Sequence, residues 1–218
     1  MRFFLVLIFV MLNFCYCICA QGVGMIKLPD PDKQGSVTLE KALNERRSLR
    51  QYKQEKLSLS EISQILWAAH GTNAFGKVTV PSAGARYPLR LYLIVGNVAG
   101  INQGIYRYNN KENVLELLEE GDKRIELSSA CLGQKAIASA PAVIVICADY
   151  SITTSRYKER GRRYVEIEVG HTGQNICLQA VALGLGTVPI GAFSDQVVKD
   201  VLGVREEPIY ILPIGKAE

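Results

Sequence analysis

Histidine is scarce in this chain, with only two residues, His70 and His171, in 218. That scarcity argues against a His-rich metal centre, and no metal is expected. Neither histidine has a Ser or Cys partner at the spacing of a nucleophilic triad, and G-x-S-x-G is absent. There is no Walker A sequence. Gly184-Leu185-Gly186 is only G-x-G and follows a helical stretch, so helix termination explains it better than dinucleotide binding does. The net charge is only +4, and no run of Lys and Arg builds a nucleic-acid surface, so no nucleic-acid partner is expected. Charged residues make up 21% and hydrophobic residues 48%, a balance that excludes disorder and fibres.

Cysteine is unevenly placed. Cys15, Cys17 and Cys19 lie in the first twenty residues, and Cys131, Cys147 and Cys177 in the rest. Three thiols in the body give no disulfide framework, and their apolar neighbours mark them as buried and inert. Met1–Ala20 has one charge at Arg2, an unbroken apolar run from Phe3 to Leu12, and small or thiol residues at its end. That is the layout of an export signal, with an uncleaved membrane anchor as the close alternative. An exported or membrane-anchored protein is the expectation. Residues 1–20 therefore stand apart, 21–36 read as a linker, and 37–218 as a single domain.

Within that domain, Thr38–Leu43 starts a short helix running into Arg46-Arg47-Ser48-Leu49-Arg50. Ser58 with Glu61 forms a capping box before Ile62, Ile65, Leu66 and Ala69. Leu91–Val95 reads as a strand, and Ile105–Tyr108 and Val114–Leu118 as a hairpin. Leu127–Ala140 reads as a helix stopped by Pro141, Val143–Cys147 as a central strand, and Tyr164–Leu183 as a long helix. Val188–Ile190, a helix over Val197–Leu202 and a strand over Ile209–Ile214 complete the pattern. Glu166 and Glu168, two apart on the long helix, point to different sides. His70 precedes Gly71 at a helix end, where a cation is welcome.

Four segments suit holding a ligand. Arg46, Ser48 and Arg50 could clamp a phosphate and a polar ring edge, though alone they read as a solvated basic helix end. Pro81–Pro88 brackets small residues that let backbone approach a planar ligand, though alone it reads as a surface loop. At Val188–Phe193, the N–H groups of Gly191 and Ala192 could donate to a ring nitrogen, or simply end a strand. Gly170, Gly173, Cys177, Ala180 and Gly184 make a seam of small residues, serving either a dimer crossing or packing within one chain.

In their order along the chain, RRSLRQY, PSAGARYPL, GIYRYNN, VEIEVGHTGQNICLQAVALGLGT, VPIGAF and ILPIGK resemble the nitroreductase superfamily of FMN-dependent oxidoreductases. The resemblance covers about Val37 to Lys216, and the loop followed by GIYRYNN is most similar to the SagB-type dehydrogenase branch. It implies an α+β, nitroreductase-like fold: a mixed, mostly antiparallel sheet wrapped by helices, in an intertwined homodimer with FMN sites built from both subunits. It further implies Arg46 and Ser48, with Arg47 beside them, at the phosphate end, and Arg50 by the pyrimidine edge. Ser82, Ala83 and Gly84 would come from the other subunit. Pro189 and Ile190 would lead to Gly191 and Ala192 over the flavin near N5, with Lys216 near the phosphate. FMN would carry the chemistry, so no catalytic side chain is expected. The implied activity is ping-pong hydride transfer from NAD(P)H or a quinol to a small organic acceptor. Azoline dehydrogenation in peptide maturation is one alternative, and a non-catalytic flavin-binding dimer is another. The sequence carries Gly84 where nitroreductases have an amide-bearing residue and Gly191 where they have an acidic one.

Overall fold

The computed structural model describes residues 24–218. Among the described residues seven strands form one sheet: β1 (Met25–Lys27), β2 (Leu89–Val95), β3 (Gly104–Asn109), β4 (Val114–Glu120), β5 (Ala142–Ala148), β6 (Leu185–Thr187) and β7 (Glu207–Lys216). Their order is β1-β4-β3-β2-β5-β7-β6, and every neighbouring pair is antiparallel. The helices are α1 (Leu39–Glu45), α2 (Leu59–His70), α3 (Arg124–Ala130), α4 (Lys135–Ser139), α5 (Tyr150–Tyr157), α6 (Arg160–Ala182) and α7 (Asp195–Leu202). This is the α+β architecture expected, with an antiparallel sheet.

Strand alternation sorts the core into two layers. Leu91, Leu93 and Val95 of β2 join Ile144, Ile146, Leu212 and Ile214 beneath α2 and α6. Tyr92 and Ile94 join Val143, Val145, Cys147 and Ile211 beneath α3, α4 and α7. β5 is buried along its whole length because helices cover both faces, and this explains its continuous apolar run. Cys131, Cys147 and Cys177 are free and buried, and burial pushes the Cys131 thiol up to about 12.

Several helix limits follow from local chemistry. Ser58 and Glu61 exchange bonds at the start of α2, as their spacing predicts. α6 spans 23 residues, about 35 Å, and Gly184 at φ +67° ends it. Gly203 at φ +65° ends α7 in the same way.

Other limits differ from the sequence expectation. α1 stops at Glu45, so the arginine segment is extended and not a helix end. The stretch read as a linker contributes β1, paired with β4, and buries Leu28. Leu127–Ala140 is two helices, because Leu132 and Gly133 both turn left-handed between them. α6 begins at Arg160, four residues early, and α5 precedes it. The short strand is Leu185–Thr187, while Ile190 makes only an isolated bridge to Ile211.

The expectation of an exported or membrane-anchored protein is also corrected. Among the described residues no helix is long and apolar enough to cross a membrane. The segment that carried the idea, 1–20, with Cys15, Cys17 and Cys19, lies outside the described residues.

A Cβ on Gly215 of β7 would lie 2.6 Å from the Tyr52 ring. Gly215→Ala should therefore destabilise the fold by about 1–3 kcal/mol, the usual range for overpacking. Urea unfolding would show it as a lower midpoint with unchanged slope.

Candidate functional site

The basic segment is held as a strap across the β6–β7 edge. Arg46 caps α1 in an extended conformation, and its N–H donates to the Ala42 carbonyl. The Leu49 N–H donates to the Thr187 carbonyl at 2.9 Å, and the Lys53 N–H to the Lys216 carbonyl at 3.1 Å. Tyr52 bridges to Ala217, and its hydroxyl donates back to the Leu49 carbonyl at 3.0 Å. With Leu49 and Tyr52 turned inward, Arg46, Arg47, Ser48 and Arg50 are exposed. Among the described residues these arginines make no ion pair.

A cleft of about 340 Å³ lies beside the strap, lined by Arg47, Leu49, Cys177, Ala180, Gly184 and Thr187, among others. Small residues on α6 keep it open. The Thr187 Oγ1 is buried and has no hydrogen-bond partner among the described residues. Burial raises the Cys177 thiol, and the nearby charge of Arg46 partly offsets this.

At the strap's far end Arg50 lines a second hollow with Gln134 and Lys135. The Gln134 Nε2 donates to the Ala192 carbonyl at 3.4 Å, which places the 189–192 turn beside this hollow. Ile190 and Ile211 exchange N–H bonds of 2.8 and 3.0 Å, and these pin the turn after Pro189. Gly191 and Ala192 are exposed, their N–H groups find no backbone acceptor among the described residues, and a Cβ at Gly191 would meet nothing within 4 Å. Gln134 and Lys135 were not singled out from sequence, since nothing in their spacing distinguishes them from other polar loop residues.

The remaining candidates are the Lys216 side chain and the segment Ser82–Gly84. The Lys216 ammonium is bonded to the Glu61 carboxylate. Burial would raise Glu61, but the bonds from Lys216 and Ser58 outweigh it and hold the carboxyl low. Ala83–Ala85 is a short 3-10 turn with Gly84 at φ +59°, and Ser82 precedes it in an extended conformation. The Ser82 hydroxyl accepts from the Tyr87 N–H at 2.9 Å and also meets Glu168 on α6. Arg46 instead approaches Cys177, nine residues further along that helix, or about 13 Å. Within one protomer the strap and the Ser82–Gly84 turn therefore do not converge.

Glu166 is exposed and Glu168 buried, as their spacing requires. Burial raises the Glu168 carboxyl to about 7, against the bond from Ser82. His70 departs from expectation: burial and then the Arg90 charge push it down to about 4, so it is neutral and not a helix-end cation.

These two groups give opposite pH slopes. Folded Glu168 holds its proton between pH 4.5 and 7 while the unfolded chain has lost it, so its contribution to stability falls as pH rises through that window. His70 is unprotonated in the folded state between pH 4 and 6.5 while the unfolded chain is protonated, so its contribution is lost as pH falls. Glu168→Gln should thus gain stability relative to the parent from pH 5 to pH 8, and His70→Gln should soften the acid-side loss. Thermal unfolding across that range would show both.

The fold has counterparts. The chain matches the nitroreductase family model over residues 43–216. A Methanocaldococcus jannaschii protein named as a nitroreductase is 45% identical over 193 residues, covering 88% of this chain and 96% of its own. Trifolitoxin operon protein TfxC of Rhizobium leguminosarum is 25% identical over 205 residues, covering 86% of this chain and 57% of its own. A crystal structure of an Anabaena variabilis protein, also named as a nitroreductase, superposes with a TM-score of 0.79 at 30% identity, covering 89% of this chain and 42% of that one. The family match spans most of the molecule, including the strap, both hollows and β7, and the chain belongs to the nitroreductase family.

Proposed function

We propose that this protein is an FMN-dependent oxidoreductase that works as a homodimer, passing hydride from NAD(P)H or a quinol to a small organic acceptor. The observation that carries the reading is the strap: Arg46, Arg47 and Arg50 make no ion pair among the described residues, Arg47 lines the cleft that holds Thr187, and Arg50 lines the second hollow. Members of the family generally bind flavin, and this donor set fits a phosphorylated ring cofactor. When bound, FMN would supply the two-electron hydride chemistry, which the side chains themselves lack.

The chain's own residues bind and orient. Arg46, with Arg47 and Ser48, offers charge-assisted bonds to the phosphate end. Lys216 adds a cation at the end of β7, shared with Glu61. Arg50 places fixed positive charge by the pyrimidine edge, where it stabilises electron density better than reorienting water does. Gly191 and Ala192, reached through Pro189 and Ile190, offer free N–H groups under open space on the N5 side. Ser82, Ala83 and Gly84 act on the second subunit's site, since they stand away from the strap of their own chain. Ile167 on α6 and Leu39 and Leu43 on the adjoining α1 are 48%, 61% and 51% exposed, an apolar surface that a second copy would cover.

A second reading, azoline dehydrogenation of a modified peptide, is favoured by the similarity to TfxC. Both readings predict a yellow dimer. Its visible spectrum should bleach anaerobically with NADPH or a quinol and recover with an acceptor, and azole formation from an azoline peptide would select the second. Arg46→Ala should weaken FMN binding by roughly tenfold to a hundredfold, since such a bond is worth about 1.5–3 kcal/mol. A colourless, strictly monomeric protein that takes up no added FMN would overturn the proposal.

A further inference from the structure

On the other side of the molecule β2 and β3 part company. They pair from Tyr92 with Arg107 to Val95 with Gly104, although β2 begins at Leu89 and β3 runs to Asn109. The gap between the splayed ends is a cleft of about 480 Å³. Lys77, Arg86, Arg90, Arg107 and Lys111 line it, with a single carboxylate, Glu116.

That carboxylate is already engaged. The Arg107 Nε donates to its Oε2 at 2.9 Å, and the Asn109 Nδ2 to its Oε1 at 3.0 Å. Arg86 donates to the Ile152 carbonyl at 2.9 Å, and Arg90 to the Leu89 carbonyl at 2.8 Å, which leaves their charge uncompensated. Lys77 and Lys111 are exposed and make no ion pair among the described residues. His70, the last residue of α2, also lines the cleft, and its buried Nε2 has no hydrogen-bond partner among the described residues.

We propose that this cleft is a second ligand site, separate from the strap, which takes a small molecule bearing a diphosphate. Crowded cations with one spent carboxylate repel each other, and a multiply charged anion removes that repulsion. Lys77 and Lys111 come from two different turns, so an anion with several charged oxygens can engage both. The volume suits a small ligand and the gap is not an extended groove, which disfavours a peptide strand. His70 supplies the partnerless polar atom in the cleft wall, and Asn109 and Asn110 add amides. Arg86 and Tyr87 of the cleft wall follow directly on the Ala83–Ala85 turn, so the cleft adjoins that turn while lying apart from the strap.

With only two histidines in the sequence, His70 is a local probe and exposed His171 an internal reference. The full chain, titrated with inorganic pyrophosphate and followed by imidazole proton–carbon NMR, should show a saturable one-to-one shift of His70 while His171 stays in place. Lys77→Gln with Lys111→Gln should weaken that binding at least tenfold, and both positions are exposed, so the fold is kept. Lys41→Gln with Lys56→Gln, outside the cleft, should leave it unchanged. ADP binding tighter than pyrophosphate would assign the diphosphate to a nucleotide, and equal binding would assign recognition to the diphosphate alone. Citrate binding better than pyrophosphate, an unsaturable shift, or equal movement of both histidines would overturn the proposal.

Discussion

Tyr52 standing on bare backbone is the contact on which the candidate site depends. Its ring lies over Gly215 and touches the space beside Gly186, two positions on adjacent strands that carry no side chain. Burial raises its phenol, against the charge of Arg50, so the hydroxyl stays protonated and donates to the Leu49 carbonyl. With Tyr52 and Leu49 facing inward, the residues between and before them have only solvent to face. The exposure of Arg46, Arg47, Ser48 and Arg50 is thus a consequence of packing two residues away.

The same edge of the sheet sets the other half of the site. β7 pairs with β5 and β6 and also catches Ile190, so the strap and the 189–192 turn are both fastened to one long strand. Gln134, from the break between α3 and α4, ties the turn to the hollow beside Arg50. Cations lie at one end of this arrangement and unsatisfied N–H groups at the other.

The small residues of α6 divide between two duties. Gly173 lets the Tyr210 ring come within 3.1 Å of where a Cβ would stand, and Gly161 lets α5 backbone approach to 2.9 Å. These glycines serve packing within the chain. Gly170 faces open space beside exposed Ile167, so it belongs to the outer face of the helix. Within the seam, then, Gly173 serves packing inside the chain, and Gly170 lies on the exposed face.

Local chemistry was legible in the sequence wherever a residue acts on its own neighbours. Ser58 and Glu61 cap α2, Gly184 and Gly203 stop helices, and the continuous apolar run of β5 announced burial on both faces. The order of motifs likewise carried the family, since each segment is a short piece of backbone with its own composition. Tertiary structure alone decided the rest. α1 stops short because Leu49 pairs with Thr187, which lies far away in sequence. Met25–Lys27 becomes a strand only because β4 offers it an edge. His70 is neutral because the fold buries it beside Arg90, and Lys216 meets Glu61 because β7 ends at the start of α2. Periodicity reports which face of an element is apolar, but it carries no information about which distant element will cover that face.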